Sequence, residues 1–151
     1  MSEANPIRVF VAHVFAEYPE YIRVFEYLES RPNFYYQNCS NPGVVVDARD
    51  SEAVKEELRR QIDRAEILIL PVSLFSTNPV LVTFQVDAAK GLKKPVLAIK
   101  SFGETVAIKK SLLDKADDVV DWNDRTIVEG IKRLARNDSS GQWEVIEFKL
   151  D

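Results

Sequence analysis

His13 and Cys39 are the residues best suited to proton transfer or nucleophilic attack, and each is the only one of its type in the 151-residue sequence. A histidine can transfer protons near neutral pH, and a cysteine becomes a nucleophile when a base activates it. His13 follows an apolar run, where it could contact a ligand or bond to the backbone of a turn. Cys39 lies between polar residues with no adjacent base, and we interpret it as a bystander.

Two common types of site are excluded by composition. One cysteine and one histidine are too few for a zinc site of the usual kind. The five glycines, at positions 43, 91, 103, 130 and 141, fit neither the GxGxxG nor the GxxxxGK(S/T) pattern. The sequence therefore argues against a zinc hydrolase, a P-loop NTPase and a dehydrogenase with the usual phosphate cradle.

Gln85 is a third candidate, within an apolar helical pattern that starts at Pro79 and ends near Gly91. Its neighbours at a spacing of three and four residues are all apolar: Leu81, Val82, Ala88 and Ala89. The amide is therefore expected on the inward face of the helix, where its polar atoms need partners. Asp87 lies about 200° further round the helix and points elsewhere. The pattern alone favours a boundary residue over a catalytic one.

The length and net charge of the chain limit the kinds of protein it can be. The 151 residues suit one domain, with a core at about 7–135 and a tail at 137–151. The net charge of −4 argues against a nucleic-acid-binding domain whose affinity rests on phosphate contacts. No apolar run reaches the roughly 20 residues of a membrane-spanning helix, and no secretory signal opens the chain. With one cysteine and so no internal disulfide, we expect a cytoplasmic protein without a membrane or nucleic-acid partner.

Apolar runs alternate with helical patterns along the chain. The runs predict strands at 7–12, 34–36, 67–72, 95–100 and 119–120. Helical patterns lie at 18–28, 51–65 and 79–91, a short one runs through Ile108 and Leu112, and a last one carries Ile127 to Ala135 after a cap at Asn123 or Asp124. Residues 37–43 and 73–78 are predicted loops, 137–141 a turn, and 143–150 an edge strand or tail.

The alternation predicts an α/β fold with a central parallel sheet of about five strands and helices on both faces, the flavodoxin-like arrangement. Ligands of such folds bind beyond the carboxyl ends of the strands. Residues 12–17, 37–43 and 73–78 and the face of the following helix are therefore the places to inspect. The sequence argues against a phosphorylatable receiver domain, because the places where it needs acidic residues hold Ala12 and His13, and no aspartate follows the third strand at 71–73.

Three segments together resemble one protein family. Residues 8–13 read RVFVAH, similar to the opening "VFISHS" strand of TIR and TIR-like domains, and residues 58–70 are similar to their "I..ADVVIVL" segment. Residues 85–100 resemble "EIDIAKEYGKPIIGIKPWG", with Ser101, Phe102 and Gly103 in place of the final PWG. This is the pattern of the small TIR-like proteins of bacterial Thoeris anti-phage systems, and it covers roughly Ile7 to Leu134.

The resemblance implies a specific activity. Enzymatic TIR domains cleave the bond between nicotinamide and ribose in NAD+, which is a substrate rather than a cofactor. Members of the Thoeris type release a cyclised or otherwise modified ADP-ribose as a second messenger, which activates a separate effector protein. A phage component is thought to trigger them, and TIR domains commonly assemble, so a homo-oligomer is a further expectation. Since one domain fills this chain, the effector would be another protein.

The resemblance also assigns site residues. The loop after the first strand would line the ribose and nicotinamide side, the loop after the second strand would gate the site, and the loop before the catalytic helix would complete it. The corresponding residues are Ala12, His13, Phe15, Asn38, Cys39, Ser73, Phe75 and Ser76. Phe15 could stack on a nicotinamide ring or pack within its loop, and we favour packing.

Position 85 departs from the family, which has a catalytic glutamate where this chain has Gln85. Glycosidic cleavage builds positive charge on the ribose, which a carboxylate stabilises and an amide does not. The loss of such a partner costs on the order of 10²–10³ in rate. Leu81 also replaces an aromatic residue often found there. The form with Gln85 is therefore expected to be inactive or to trap its substrate.

Two hypotheses account for Gln85. It could be native, in a protein that binds nucleotide or a partner without turnover, or it could be an engineered replacement of a glutamate that traps the substrate. The retained loops favour the second, and Gln85→Glu would then create NAD+ consumption. Two other functions stay open: a non-enzymatic TIR-like adaptor that assembles with other TIR domains, and a nucleoside deoxyribosyltransferase-like enzyme that acts on free nucleosides.

Overall fold

The computed structural model describes residues 1–100 and 110–138. The strands in this part of the chain are β1 (Ile7–Val11), β2 (Tyr36–Asn38), β3 (Ile67–Pro71), β4 (Val96–Ile99) and β5 (Asp118–Val120). The helices are α1 (Pro19–Glu29), α2 (Ser51–Arg64), α3 (Ser73–Thr77), α4 (Pro79–Gly91), α5 (Lys110–Lys115) and α6 (Asp124–Arg136). Strands and helices thus alternate as the sequence predicts.

The five strands form one sheet in the order β2-β1-β3-β4-β5, and every neighbouring pair is parallel. This confirms the predicted α/β class with a flavodoxin-like parallel sheet. Strand β2 lies on one side of β1 and β3 lies on the other side, so the direction of the connections reverses at β1. The crevice between the loops that follow β1 and β3 is therefore the switch point where such folds bind ligands.

Helices cover both faces of the sheet. Side chains alternate between the two faces along each strand, so a hydrophobic core forms on each face. In β1, Ile7, Val9 and Val11 pack with α1 and α6, whereas Phe10 points to α2 and α4. The whole of β3 is buried, as expected of a central parallel strand. This packing fixes the carboxyl ends of β1 and β3 and hence the loops that carry the candidate residues.

The second strand was predicted two residues too early, and residues 37 and 38 of the predicted loop belong to it. Phe34 packs into the core beside α1 and α6 instead of entering the sheet. The strand begins at Tyr36, which pairs with Ile7, and Gln37 and Asn38 are exposed at the sheet edge. An exposed edge strand can be polar, which is why apolar content misplaced it.

The predicted loop at 73–78 is also partly wrong, because Ser73–Thr77 form α3. Leu74 is buried and anchors this short helix, and the hydroxyls of Ser76 and Thr77 donate to the carbonyls of Ser73 and Leu74. Serine and threonine are typical of loops, but here their hydroxyls bond to the backbone of the helix, so the polar sequence alone did not predict α3.

Towards the end of the chain, Asn123 caps α6 as predicted, since its side chain accepts a hydrogen bond from the Thr126 amide. Leu112 lies in α5 as predicted, whereas Ile108, the end of the turn at 137–141 and the strand or tail at 143–150 fall outside the described residues. Over the described ranges, no helix is long and apolar enough to cross a membrane.

Candidate functional site

Gln85 is fully buried on the inward face of α4, as its apolar neighbours predict. Its Oε1 accepts a hydrogen bond from the His13 amide at 3.2 Å. Its Nε2 donates to the His13 carbonyl at 2.9 Å and to the Leu81 carbonyl at 3.2 Å. The side chain therefore clamps the backbone just after β1 to α4, and both ends of the amide have partners.

This clamp suits an amide and not a carboxylate. The His13 backbone presents one donor and one acceptor, so its partner must both accept and donate. An ionised glutamate at position 85 has acceptors only and would face the carbonyl oxygens of His13 and Leu81. The geometry therefore fits the glutamine that this sequence has at position 85. Asp87 cannot substitute for a buried acid, because it is exposed and paired with Lys115, as its position on the helix predicts.

His13 is also fully buried and bonded through both ring nitrogens. Its Nδ1 accepts a hydrogen bond from the Phe15 amide at 3.0 Å, so the proton of the neutral ring lies on Nε2. Nε2 then donates to Gln61 Oε1 at 2.8 Å. Burial lowers the pKa of His13 below its ordinary value, although the Gln61 bond and the Glu57 charge oppose this. Both ring nitrogens of His13 are therefore engaged within the protein, and burial favours its neutral form.

Gln61 joins this network from α2 and was missed in the sequence. Besides His13, its Oε1 accepts from the Asn41 amide at 2.9 Å, and its Nε2 donates to the Asn41 carbonyl at 3.2 Å. The loops after β1 and β2 are thus both tied to α2. Gln61 lies next to Ile62 and three residues after Leu58, on the apolar face of the helix. That position could have predicted that its side chain is buried.

An apolar cleft of about 640 Å³ opens beside the clamp. It is lined by parts of the loops after β1 and β2 and of helices α2 and α4: Val14, Phe15, Pro42, Gly43, Val44, Val45, Val46, Ala48, Ser51, Val54 and Leu81. None of these lining residues carries a charge. The cleft can take a flat apolar ring, but its lining supplies no acid or base.

Phe15 is the one resemblance-assigned residue that lines this cleft. It has a φ of 62°, in the left-handed region that favours glycine. Its amide is held by His13 Nδ1, and its ring meets the His13 ring edge-on at 5.0 Å between centroids. Phe15 also contacts the core beneath, so its ring both packs and forms a cleft wall.

The assigned residues of the second loop lie elsewhere. Asn38 is exposed, donates to the Tyr21 hydroxyl at 3.2 Å and lines a groove along α1. Cys39 is buried in the core beside α2 and α4. Burial is the main cause that raises the pKa of the Cys39 thiol, which fits the bystander interpretation.

The assigned residues of the third loop also fall outside the cleft lining. Ser73 donates to the Glu20 carboxylate of α1, the exposed Ser76 donates to the Ser73 carbonyl, and Phe75 packs against the core beside α2 and α4. Ala12 is fully buried in the same core. Within residues 1–100 and 110–138, no three potential ligands cluster to hold a metal ion.

Comparison with protein-family models gives no match, and comparison with curated proteins gives no significant similarity.

We expect the pKa of His13 in the folded protein to lie below its ordinary value of 6.5. The folded pKa is lowered, so the unfolded chain takes up a proton first as the pH falls. This contribution to stability is complete above pH 6.5 and is lost as the pH falls below 6.5 towards the lowered value. The ring-proton NMR signals of the only histidine report its titration directly. A midpoint at or above 6.5 would contradict the network, and His13→Gln should remove this part of the pH dependence of unfolding.

Proposed function

We propose that this protein is a TIR-like protein of the Thoeris type that binds an NAD+-type dinucleotide in the apolar cleft without cleaving it. The observation that carries the proposal is the buried Gln85 amide, whose donor and acceptor both bond to the His13 backbone. This position, which holds the family's carboxylate, is used here to hold the loop that forms a wall of the cleft.

The cleft supports the choice of ligand class. Phe15, Val44 and Val46, which are among the lining residues, offer apolar surface that suits a planar ring such as nicotinamide or adenine. The uncharged lining offers no group to stabilise the positive charge that develops on a departing ribose. The dinucleotide itself comes from the family resemblance.

The resemblance also supplies the proposed role in anti-phage defence. A protein that binds NAD+ without turnover would act in its NAD+-bound state. In that state it would assemble with further TIR-like chains or with an effector protein. A phage component would control this assembly. Release of an ADP-ribose-derived messenger would require a carboxylate that the cleft lining does not provide.

Binding of NAD+ by calorimetry, with mass spectrometry of the recovered nucleotide, tests the proposal. Leu81→Trp fills the cleft and should weaken binding about tenfold or more, since a ring-sized contact surface is lost. Val80→Trp is the matched control, because Val80 is the preceding residue on α4, is 75% exposed and does not line the cleft. NAD+ should be recovered intact. Absent binding, equal affinity of the two variants, or released nicotinamide would overturn the proposal.

A further inference from the structure

A groove of about 810 Å³ runs along α1, and none of its lining residues lines the apolar cleft. It is formed by α1, by the residues at the two ends of this helix and by the last residue of β2: Glu17, Tyr21, Ile22, Phe25, Glu26, Glu29, Ser30 and Asn38. We call this surface the α1 groove. It is separate from the site to which the proposed function assigns NAD+.

The centre of the α1 groove is apolar. Ile22 is 44% exposed there, although α1 already buries a different face, which includes Val24, in the core. The Phe25 ring is held beside Ile22 by contacts with Tyr21 at 5.2 Å and Tyr36 at 5.8 Å between centroids. An amphipathic helix of a globular protein needs only one apolar face for its own core, so a second one is available to another molecule.

The rim of the α1 groove is acidic. Carboxylates stand near both ends and in the middle, at Glu17, Glu26 and Glu29. Over the described residues, no ion pair uses any of these three. Glu29 accepts a hydrogen bond from the Tyr36 hydroxyl at 2.6 Å, which fixes its position without neutralising its charge.

The nearby arginines contact other parts of the protein. Arg23 lies over the Trp122 ring at 5.8 Å, Arg31 pairs with Asp124 at 3.9 Å, and neither arginine lines the α1 groove. The negative rim repels nucleic acid and anionic lipid. In the part of the chain that the structure describes, no cluster of three potential ligands could hold a metal ion. The surface that complements this groove is therefore both apolar and cationic.

We propose that the α1 groove is the docking site for a basic amphipathic helix of a partner protein. The 11 residues of α1 extend over about 16 Å, the length of a three-turn helix laid along it. Such a helix places apolar side chains on Ile22 and Phe25 and lysine or arginine side chains beside the carboxylates. Helices in grooves bind through apolar anchors at a spacing of three and four residues, and complementary charges at the rim select the partner. This role goes beyond the proposed function, because it does not involve NAD+.

Amide NMR shifts of the labelled protein, titrated with synthetic peptides, test the docking site. The probe is a helical peptide of about 15 residues with leucines on one face and lysines beside them, and its counterpart has glutamates in place of the lysines. We expect the lysine peptide to shift the amides of Ile22, Phe25, Glu26 and Asn38, and the glutamate peptide to leave them unchanged. Added salt should weaken the binding.

Matched variants separate the α1 groove from the overall negative charge of the protein. Glu26→Lys should weaken binding of the lysine peptide at least several-fold, because an attraction becomes a repulsion. Asp63→Lys on α2 is the control, since Asp63 is also exposed and the change in net charge is the same. Ile22→Ala should also weaken binding, whereas Val80→Ala, at an exposed valine of α4, should not.

Three results would overturn the docking site. The first is an equal loss of affinity in Glu26→Lys and Asp63→Lys, which would mean that net charge alone attracts the peptide. The second is equal binding of the lysine and glutamate peptides, or shifts confined to other amides. The third is a dimer that forms without peptide and shifts the same α1 amides as the protein concentration rises, which would assign the α1 groove to a second copy of this chain.

Discussion

Gln85→Glu is expected to destabilise the protein at pH 7 by about 3–5 kcal/mol, the range for an uncompensated buried charge. The new carboxylate would lie against the carbonyl oxygens of His13 and Leu81, and two donated hydrogen bonds would be lost. Gln85→Met, which adds no charge, should cost less, about 1–3 kcal/mol for the unsatisfied backbone groups. Urea unfolding of the three proteins measures both differences.

The pH dependence of the glutamate variant gives a second check. Burial would raise the folded pKa of a carboxyl at position 85, so the stability of the variant relative to the wild type should fall as the pH rises. Once protonated, the acid can again donate to the His13 carbonyl. A variant as stable as the wild type at pH 7 would contradict the clamp. A stable variant that releases nicotinamide from NAD+ would favour the hypothesis that glutamine replaces an original glutamate.

Phe15→Gly is expected to weaken NAD+ binding about tenfold or more while leaving the protein folded. The change removes an aromatic wall of the cleft, the kind of contact that dominates binding energy. It also places glycine at a φ of 62°, where a side chain is unfavourable, so part of the lost packing is offset. Calorimetry for affinity and urea unfolding for stability distinguish the two effects.

Phe25→Leu is the control for this prediction, because Phe25 lies on α1 and lines the groove there rather than the cleft. Its affinity for NAD+ should equal that of the wild type. An unchanged affinity of Phe15→Gly, or an equal loss in both variants, would place the ligand outside the cleft.

The fold was predictable because its strongest signals are local. Residues 67–71 are apolar throughout, as a strand buried on both faces must be, and the alternation with helical patterns fixes the class. The inward position of Gln85 was predictable for the same reason, since its neighbours along the helix are apolar. The second strand was predicted at 34–36 and lies at Tyr36–Asn38, because an exposed edge strand needs no apolar run.

The site was less predictable because its partners are distant in the chain. The clamp joins residues 72 positions apart, and the His13–Gln61 bond joins residues 48 apart. No local sequence pattern predicts that the Gln85 side chain hydrogen-bonds to the His13 backbone, or that residues 44–46 line a cleft.

Titration of the labelled wild-type protein with NAD+, followed by NMR, tests the central claim most directly. Binding in the cleft without cleavage predicts shifts at the amides of Phe15, Gly43, Val44, Val45 and Val46, with the nicotinamide signals of intact NAD+ unchanged over time. No shifts at these amides, or the growth of free nicotinamide signals, would contradict it.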